Sequence, residues 1–385
     1  MTDELSKLFE STKRLYRTEA DEAINRLLLI LNSSLLNDRI ISSIDPVLKR
    51  LMEVSNDIES IEDKNFKGIH ELERKIRVEE KTLELLENSI STFISHRSLS
   101  TTLSILFESL YYEITKEELP FLVVSRESEA LQTYPTLRSE ENELLVGVIG
   151  IPLFSVSHTH EWILAGHEFG HIIANKELGI EIEYNYSYKN SGIINNYMME
   201  ILADFTAMQI FGPVFLEVLL TEFTGAERAS ASPTHPPIPW RIRLCYDQAS
   251  YFNRKGFNEE FKEKGVEKFI DAIEEVIGEL YPKEESERIK GFGEMVEYKD
   301  VESKIREIKE KDFEQIRNIA DLKNCYKNAY KFSELLRSDT IPQYEMNSYS
   351  PEQIVIGGYL ASREKPEKFK SYTQNVVDSL IRMKI

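Results

Sequence analysis

The sequence predicts a mostly α-helical α+β protein in which a small β-sheet lies between two helical regions. Apolar residues recur at three- and four-residue spacing before residue 117 and again after residue 250, which is typical of helices. Two short runs rich in β-branched residues, Pro120–Ser125 and Glu143–Ile149, have the character of strands instead. We therefore expect an N-terminal helical region (1–117), a central core with the sheet (118–250) and a C-terminal helical region (251–385).

The clearest helix of the first region is predicted from Ile69 to Phe93. Only Glu79 interrupts its heptad seam of apolar residues, which are Leu72, Ile76, Leu83, Leu86, Ile90 and Phe93. A second helical stretch, Ala20–Val54, carries a predicted break near Pro46. The seam allows either a dimer through a coiled coil or a helical hairpin that packs on its own chain, and so few heptads favour the hairpin.

A metal-binding pattern, His167-Glu168-Phe169-Gly170-His171, follows the predicted strands. Residues i and i+4 lie one above the other on a helix face, so His167 and His171 can reach a single metal ion. Glu168 then lies beside the metal, where it can act as a base on water rather than as a ligand. The flanking residues are apolar, so we expect this helix to be buried and its histidines to need a charge partner.

The next predicted helix starts from a cap at Asn195 or Asn196 and runs to Ile210, where Gly212-Pro213 stops it. Its residues Glu200 and Asp204 share one face. A catalytic zinc site needs a third protein ligand, for which Glu200 is the candidate. Asp204 is predicted to accept the N–H of a ligating histidine and fix its tautomer.

Gly170 lies inside the first of these helices, where glycine costs about 1 kcal/mol relative to alanine. A glycine in such a place usually marks a close approach by another part of the chain. We expect the segment that carries the third ligand to approach Gly170 in this way.

A loop is predicted from Ala229 to Pro239, and it contains His235. Arg241 follows at the start of a helix. His235 has three possible roles: a fourth metal ligand, a donor to the transition state, or a packed loop residue. A fourth ligand would close the site, and Pro236 and Pro237 make the loop rigid. These features favour a donor role.

The order of these motifs resembles the CAAX prenyl endopeptidase/HtpX family of gluzincin zinc peptidases. The resemblance covers residues 140 to 245 and rests on H-E-F-G-H, on E-x-x-A-D-x-x-A and on His235-Pro236-Pro237 followed by Arg241. It implies a zincin-like core in residues 118–250 and a zinc-dependent endopeptidase that hydrolyses peptide bonds of a protein or peptide substrate.

The resemblance also implies roles for individual residues. One Zn²⁺ ion per chain would be held by His167, His171 and Glu200, with Glu168 as the catalytic base. The register of Arg241 after His235 implies support of the substrate or transition state. By analogy with zincins, Leu144–Pro152 is the candidate edge strand that accepts a substrate backbone, with an ordinary core strand as the alternative.

Two other functions stay open from the sequence. One is a peptidase that cleaves repressors, which also carries H-E-x-x-H with a downstream E-x-x-A-D, although the chain shows no basic recognition helix. The other is an interaction scaffold with a non-catalytic metal site. Structural zinc sites usually have four Cys or His ligands, which this pattern lacks. The sequence leaves the substrate open, and it leaves the C-terminal region as either a substrate gate or a scaffold.

Composition limits the partners and the compartment. The net charge of −19 argues against nucleic acid and anionic membranes as partners. The two cysteines have no metal-type spacing and no disulfide pattern, which favours a reducing compartment. The first residues lack the features of a signal peptide, and no apolar run is long enough to span a bilayer. A cytoplasmic protein without an integral membrane span is therefore expected, with a dimer through the N-terminal helices as a possible assembly.

Overall fold

The computed structural model describes residues 2–32, 38–62, 65–95, 97–126, 132–133, 146–152, 159–178, 190–223, 234–257, 288–291, 294–307, 316–338 and 348–383. Helices make up most of these residues, together with one three-stranded and one two-stranded sheet. The predicted class, mostly helical with a small sheet, is therefore confirmed. Within the described part of the chain, none of the helices combines the length and the apolar character that crossing a membrane requires.

Three helices form a bundle at the N-terminus: α1 (Thr2–Leu31), α2 (Asp38–Ser60) and α3 (Phe66–Ser95). They share an apolar core that includes Ala23, Leu27, Val47, Leu51, Leu83 and Leu86. Glu79, the polar residue in the seam of α3, accepts hydrogen bonds of 2.7 and 3.2 Å from Arg50 of α2. The seam residues Leu72, Ile76, Leu83 and Leu86 are buried within their own chain, as the hairpin interpretation requires.

The predicted break at Pro46 is wrong, because Pro46 lies inside α2. Helix α1 ends earlier, at Leu31, where Asn32 lies in a turn, and α2 starts at Asp38. A proline inside a helix costs about 3 kcal/mol. Here the buried residues Ile44, Val47 and Leu51 on the same helix offset that cost by packing in the bundle.

Helix α4 (Arg97–Thr115) leads into the three-stranded sheet of β1 (Phe121–Arg126), β2 (Gln132–Thr133) and β3 (Gly147–Pro152). Strand β3 pairs in parallel with β1 and, at Ile149 and Gly150, antiparallel with β2. The prediction of Leu144–Pro152 as an edge strand is therefore wrong, because β3 is paired on both sides and β2 lies at the edge. The residues of that prediction before Val146 lie outside the described part of the chain.

The sheet separates two apolar layers. Leu122, Val124 and Val148 face the N-terminal bundle. Phe121, Val123, Ile149 and Ile151 face the main core, to which α4 and the following helices contribute. The alternation of side chains along a strand places the two sets on opposite faces.

Four helices follow the sheet: α5 (Thr159–Leu178), α6 (Asn190–Phe211), α7 (Pro213–Phe223) and α8 (Ile238–Arg254). The predicted cap at Asn195 or Asn196 is wrong, because α6 starts at Asn190 and both residues lie inside it. Burial of Ile193, Asn196 and Tyr197 against the rest of the protein extends the helix toward its N-terminus. Its C-terminal end agrees with the prediction to within one residue, since Gly212 follows it at φ 63°.

The further elements of the described residues are a hairpin of β4 (Arg288–Gly291) and β5 (Glu294–Glu297), then α9 (Tyr298–Glu307), α10 (Ile319–Arg337), α11 (Pro351–Glu364), a short 3₁₀ helix (Pro366–Lys368) and α12 (Phe369–Met383). Apolar residues of α10 to α12 belong to the same core as those of α4 to α8. The division into three regions stays a prediction.

The C-terminal helices hold the end of α6. The Tyr326 O–H donates to the Phe211 carbonyl (2.6 Å) and accepts from the Val214 N–H (2.9 Å). Arg317 donates to the Ile210 carbonyl (3.0 Å) and to the buried carboxylate of Glu352 on α11 (2.9 Å). The end of a helix leaves carbonyls without intrahelical partners, and these bonds satisfy the carbonyls of Ile210 and Phe211. Through these contacts the C-terminal residues act as a scaffold for α6.

Candidate metal centre

The centre is built where α5 and α6 pack together. His167, Glu168 and His171 on α5 are all buried, as predicted. The predicted close approach at Gly170 is also confirmed, because the backbone of Ala203 on α6 lies against it. This contact brings the turn of α6 that carries Glu200 and Asp204 to the histidines of α5.

Three donor atoms converge between the helices. Nε2 of His167 lies 3.2 Å from Nε2 of His171 and 3.2 Å from Oε2 of Glu200. Nε2 of His171 lies 3.6 Å from Oε1 of Glu200. A tetrahedral zinc ion with bonds of about 2.0–2.1 Å needs ligand atoms about 3.3 Å apart, and Nε2 of His167 has this spacing to Nε2 of His171 and to one oxygen of Glu200.

This buried group of His167, His171 and Glu200 could therefore hold a metal ion, and within the described ranges no other group of His, Cys, Asp and Glu side chains has that geometry. The two imidazole nitrogens and the carboxylate all present lone pairs to the same space. A metal cation or a proton in that space is needed to hold them so close together. The donor set of two nitrogens and one oxygen is compatible with zinc.

On its far side, the His167 ring contacts Asp204. The Nδ1 atom of His167 lies 2.8 Å from Oδ1 of Asp204, a carboxylate oxygen that can only accept, so Nδ1 carries the proton. This leaves the lone pair of Nε2 for the centre. The structure thus brings Asp204 to the position that the sequence predicted for it.

Arg241 of α8 completes the arrangement behind Asp204. Its Nε donates to Oδ2 and its Nη2 to Oδ1 of Asp204, both at 2.7 Å. Its Nη1 lies 3.9 Å from Oε2 of Glu200. The guanidinium is buried among these groups, whereas the resemblance implied support of a substrate or transition state.

The charges of the centre are strongly coupled. Burial lowers the pKa of His167, and so does the Arg241 guanidinium, but the carboxylates of Asp204 and Glu200 outweigh both and raise it to about 10. Burial raises the pKa of Glu200, yet His171, His167 and Arg241 hold it well below its usual range. In the metal-free protein a protonated His167 thus balances the buried carboxylates, and a divalent cation can take the place of that proton.

Glu168 and His235 are the two further residues that the sequence predicted for this site. The Glu168 carboxylate acts electrostatically on His171, whose pKa is nevertheless lowered, chiefly by burial. His235 reaches the centre from the solvent side, with its side chain 57% exposed and its Nε2 atom 3.6 Å from Oε1 of Glu200. Its Nδ1 atom lies 2.9 Å from the Thr234 hydroxyl, a contact that the sequence analysis missed, although a threonine directly before His235 is a possible signal for it.

The chain was compared with known proteins in three ways: no family model matches the sequence, and no match was found among curated proteins or among solved structures.

Proposed function

We propose that this protein is a zinc-dependent endopeptidase that hydrolyses peptide bonds at the centre formed by His167, His171 and Glu200. The observation that carries the proposal is the convergence of two imidazoles and one carboxylate, with a further buried carboxylate, Glu168, next to His167 on the same helix. Catalytic zinc sites use three protein ligands and keep one position open, whereas structural sites usually use four Cys or His ligands. The ligand set therefore supports a catalytic rather than a structural site.

The metal and the residues of the centre would each have a different role in the reaction. Zinc, when bound, supplies a Lewis acid that polarises the scissile carbonyl and lowers the pKa of water toward ~7. Glu168 accepts the proton of the attacking water and returns it to the leaving amine. His235 donates its Nε2–H to the oxygen that becomes negatively charged, for which its exposed position beside Glu200 is suited.

A zincin-like core and kinship with gluzincin peptidases are part of this proposal. They are supported by the contacts of α5 with the edge strand β2 and with β3. Among the described strands β1 and β2 lie at the two edges of the sheet, and β2, which contacts α5, replaces β3 as the candidate for pairing with a substrate backbone. The substrate is proposed to be a protein or peptide.

The test compares cleavage of a peptide library by zinc-loaded wild type, Glu168→Gln and Glu161→Gln. Glu161 lies in the first turn of the same helix and provides a matched control with the same chemical change. We expect Glu168→Gln to bind zinc at wild-type stoichiometry and to cleave about 10²–10⁴-fold more slowly, while Glu161→Gln cleaves normally. Wild-type turnover in Glu168→Gln would refute the mechanism, and zinc binding without cleavage by the wild type would instead indicate a non-catalytic site.

A further inference from the structure

Arg241 and Asp204 form a buried pair directly behind a ligand of the centre. Arg241 keeps 6% of its side-chain surface exposed and Asp204 none. The two N–H···O bonds between them are short and side by side, the geometry in which a guanidinium holds a carboxylate most rigidly. The carboxylate therefore has one orientation, and in that orientation Oδ1 also accepts the Nδ1–H of His167.

We propose that Arg241 is a positioning residue for the metal, which acts through Asp204 on His167 and sets the affinity of the centre without touching the substrate. This inference rests on the metal centre of the proposed function but not on peptide hydrolysis. It assigns Arg241 a different role from direct support of the transition state.

The contacts of Arg241 leave it no free side for a substrate. Nε and Nη2 are used by Asp204, and Nη2 also lies 3.2 Å from Nδ1 of His167. That approach is a packing contact rather than a hydrogen bond, because both nitrogens carry protons. Nη1 faces Glu200 at 3.9 Å. A guanidinium so enclosed acts on the reaction through the residues around it.

Charge gives a second reason for this role. Glu200 and Asp204 place two carboxylates in a buried site, and Arg241 compensates one of them permanently because it stays protonated. Without Arg241, the Asp204 carboxylate would lose both of its fixed donors and, among the hydrogen-bond partners in the described residues, would keep His167. It could then turn away from Nδ1, and a ligating imidazole that loses its oriented partner binds metal more weakly.

Arg241 also links the centre to the segment that carries His235. The N–H groups of Trp240 and Arg241 bond to the Pro237 carbonyl at 2.9 and 3.3 Å, which closes the first turn of α8 directly after the His235 segment. The side chain that holds Asp204 therefore starts from the first turn of α8, next to the segment that carries His235. A positioning role predicts an effect on metal binding even where no substrate is present.

A double-mutant cycle tests whether Arg241 acts through Asp204. Zinc dissociation constants are measured by competition with a chromogenic chelator for wild type, Arg241→Gln, Asp204→Asn and the double variant. We expect each single change to weaken zinc binding by about 10–100-fold and the double variant to be no weaker than Asp204→Asn alone. Wild-type affinity in Arg241→Gln, or effects that multiply in the double variant, would overturn the inference.

Two further variants separate positioning from folding and from simple charge. Arg243→Gln removes a positive charge from the same helix, where Arg243 stacks on Tyr298 rather than on the centre, and should bind zinc like wild type. Arg241→Lys keeps the charge but cannot form the paired bonds, so it should bind more weakly than wild type and still give the same non-additivity with Asp204→Asn. This variant replaces Arg241→Gln in the cycle if circular dichroism shows that the glutamine variant does not fold.

The spectrum of the cobalt-substituted protein provides a readout that stability alone would not change. Altered orientation of His167 should shift the visible bands of Co²⁺ in Arg241→Lys relative to wild type, whereas Arg243→Gln should leave them unchanged. Identical bands in the lysine variant would count against the inference. Absence of metal binding in the wild type would instead contradict the proposed function itself.

Discussion

Gly170 on α5 lies directly against Ala203 on α6: a Cβ atom at residue 170 would be 2.3 Å from the Ala203 carbonyl oxygen and 3.0 Å from its Cα. The distance of 2.3 Å is too short for any side chain larger than a hydrogen atom, and 3.0 Å is tighter than most contacts of a Cβ atom. Ala203 directly precedes Asp204, and Gly170 directly precedes His171. The absence of a side chain at residue 170 therefore sets how closely the helices that carry His171 and Glu200 approach each other.

We predict that Gly170→Ala destabilises the protein by about 1–3 kcal/mol in urea unfolding and weakens zinc binding, because the helices must separate. Alanine is favoured over glycine in a helix by about 1 kcal/mol, so the net destabilisation is the cost of the steric clash minus this gain. Gly68→Ala is the matched control, since the nearest neighbours of an added Cβ there are the side chains of Asn65 and Ile61 rather than backbone. Equal stability of the two variants would show that the helices tolerate a wider spacing.

The centre should bind one zinc ion per chain and gain thermal stability from it. At a free zinc concentration of 100 times the dissociation constant, binding adds about 2.7 kcal/mol to the free energy of unfolding. His171→Ala should lose the bound zinc and the zinc-dependent rise in melting temperature. His70→Ala removes an exposed histidine of α3 and should keep both. Zinc retained by His171→Ala, measured by elemental analysis after dialysis, would contradict the ligand assignment.

His235→Ala should leave the zinc content intact and lower kcat by about 10²–10³-fold with little change in KM, because the lost contact forms with the transition state. The exposure of the side chain and its place beside Glu200 allow a substrate to reach it. Peptide hydrolysis and metal content are measured on the same preparation. Loss of zinc in this variant would indicate that His235 is a metal ligand. An unchanged kcat would indicate that His235 is a packed loop residue.

Tyr326→Phe should destabilise the protein by about 1–3 kcal/mol, because the Phe211 carbonyl and the Val214 N–H lose a shared partner in a buried place. Tyr112→Phe on α4 is the control, since that side chain is exposed and its hydroxyl can bond to water. Denaturant unfolding of the two variants measures the difference. If Tyr326→Phe is as stable as wild type, the C-terminal helices do not hold α6 through this hydroxyl.

Local sequence predicted the features that depend on spacing along one helix. The i, i+4 histidines, the buried character of α5 and the stop at Gly212 follow from helix geometry and side-chain chemistry, so they could be predicted without the fold. Helix spacing also placed Glu200 and Asp204 on one face of the next helix, whereas their place beside the histidines was predicted from the need for a third ligand and from the resemblance. The ligand atoms of His167, His171 and Glu200 lie close enough together to hold a single ion, and Asp204 contacts the other nitrogen of the His167 ring.

Other features depend on residues far apart in the chain, and local patterns misjudged them. The middle position of β3 is set by its pairing with β2, which a strand pattern does not encode. Pro46 stays inside α2 because the bundle buries its neighbours, and α6 begins before Asn195 because its first turns are packed. In each case tertiary packing outweighs a local preference of a few kcal/mol.

The sequence by itself determined which groups could bind a metal and act as a base, because imidazoles and carboxylates at helical spacing carry that chemistry in any buried setting. The tertiary structure alone decided where Arg241 points. Its guanidinium could have faced a substrate, but α8 lies on α6 so that the two fixed donors meet Asp204. Orientation of a long side chain follows from the placement of whole helices, which no stretch of residues specifies locally.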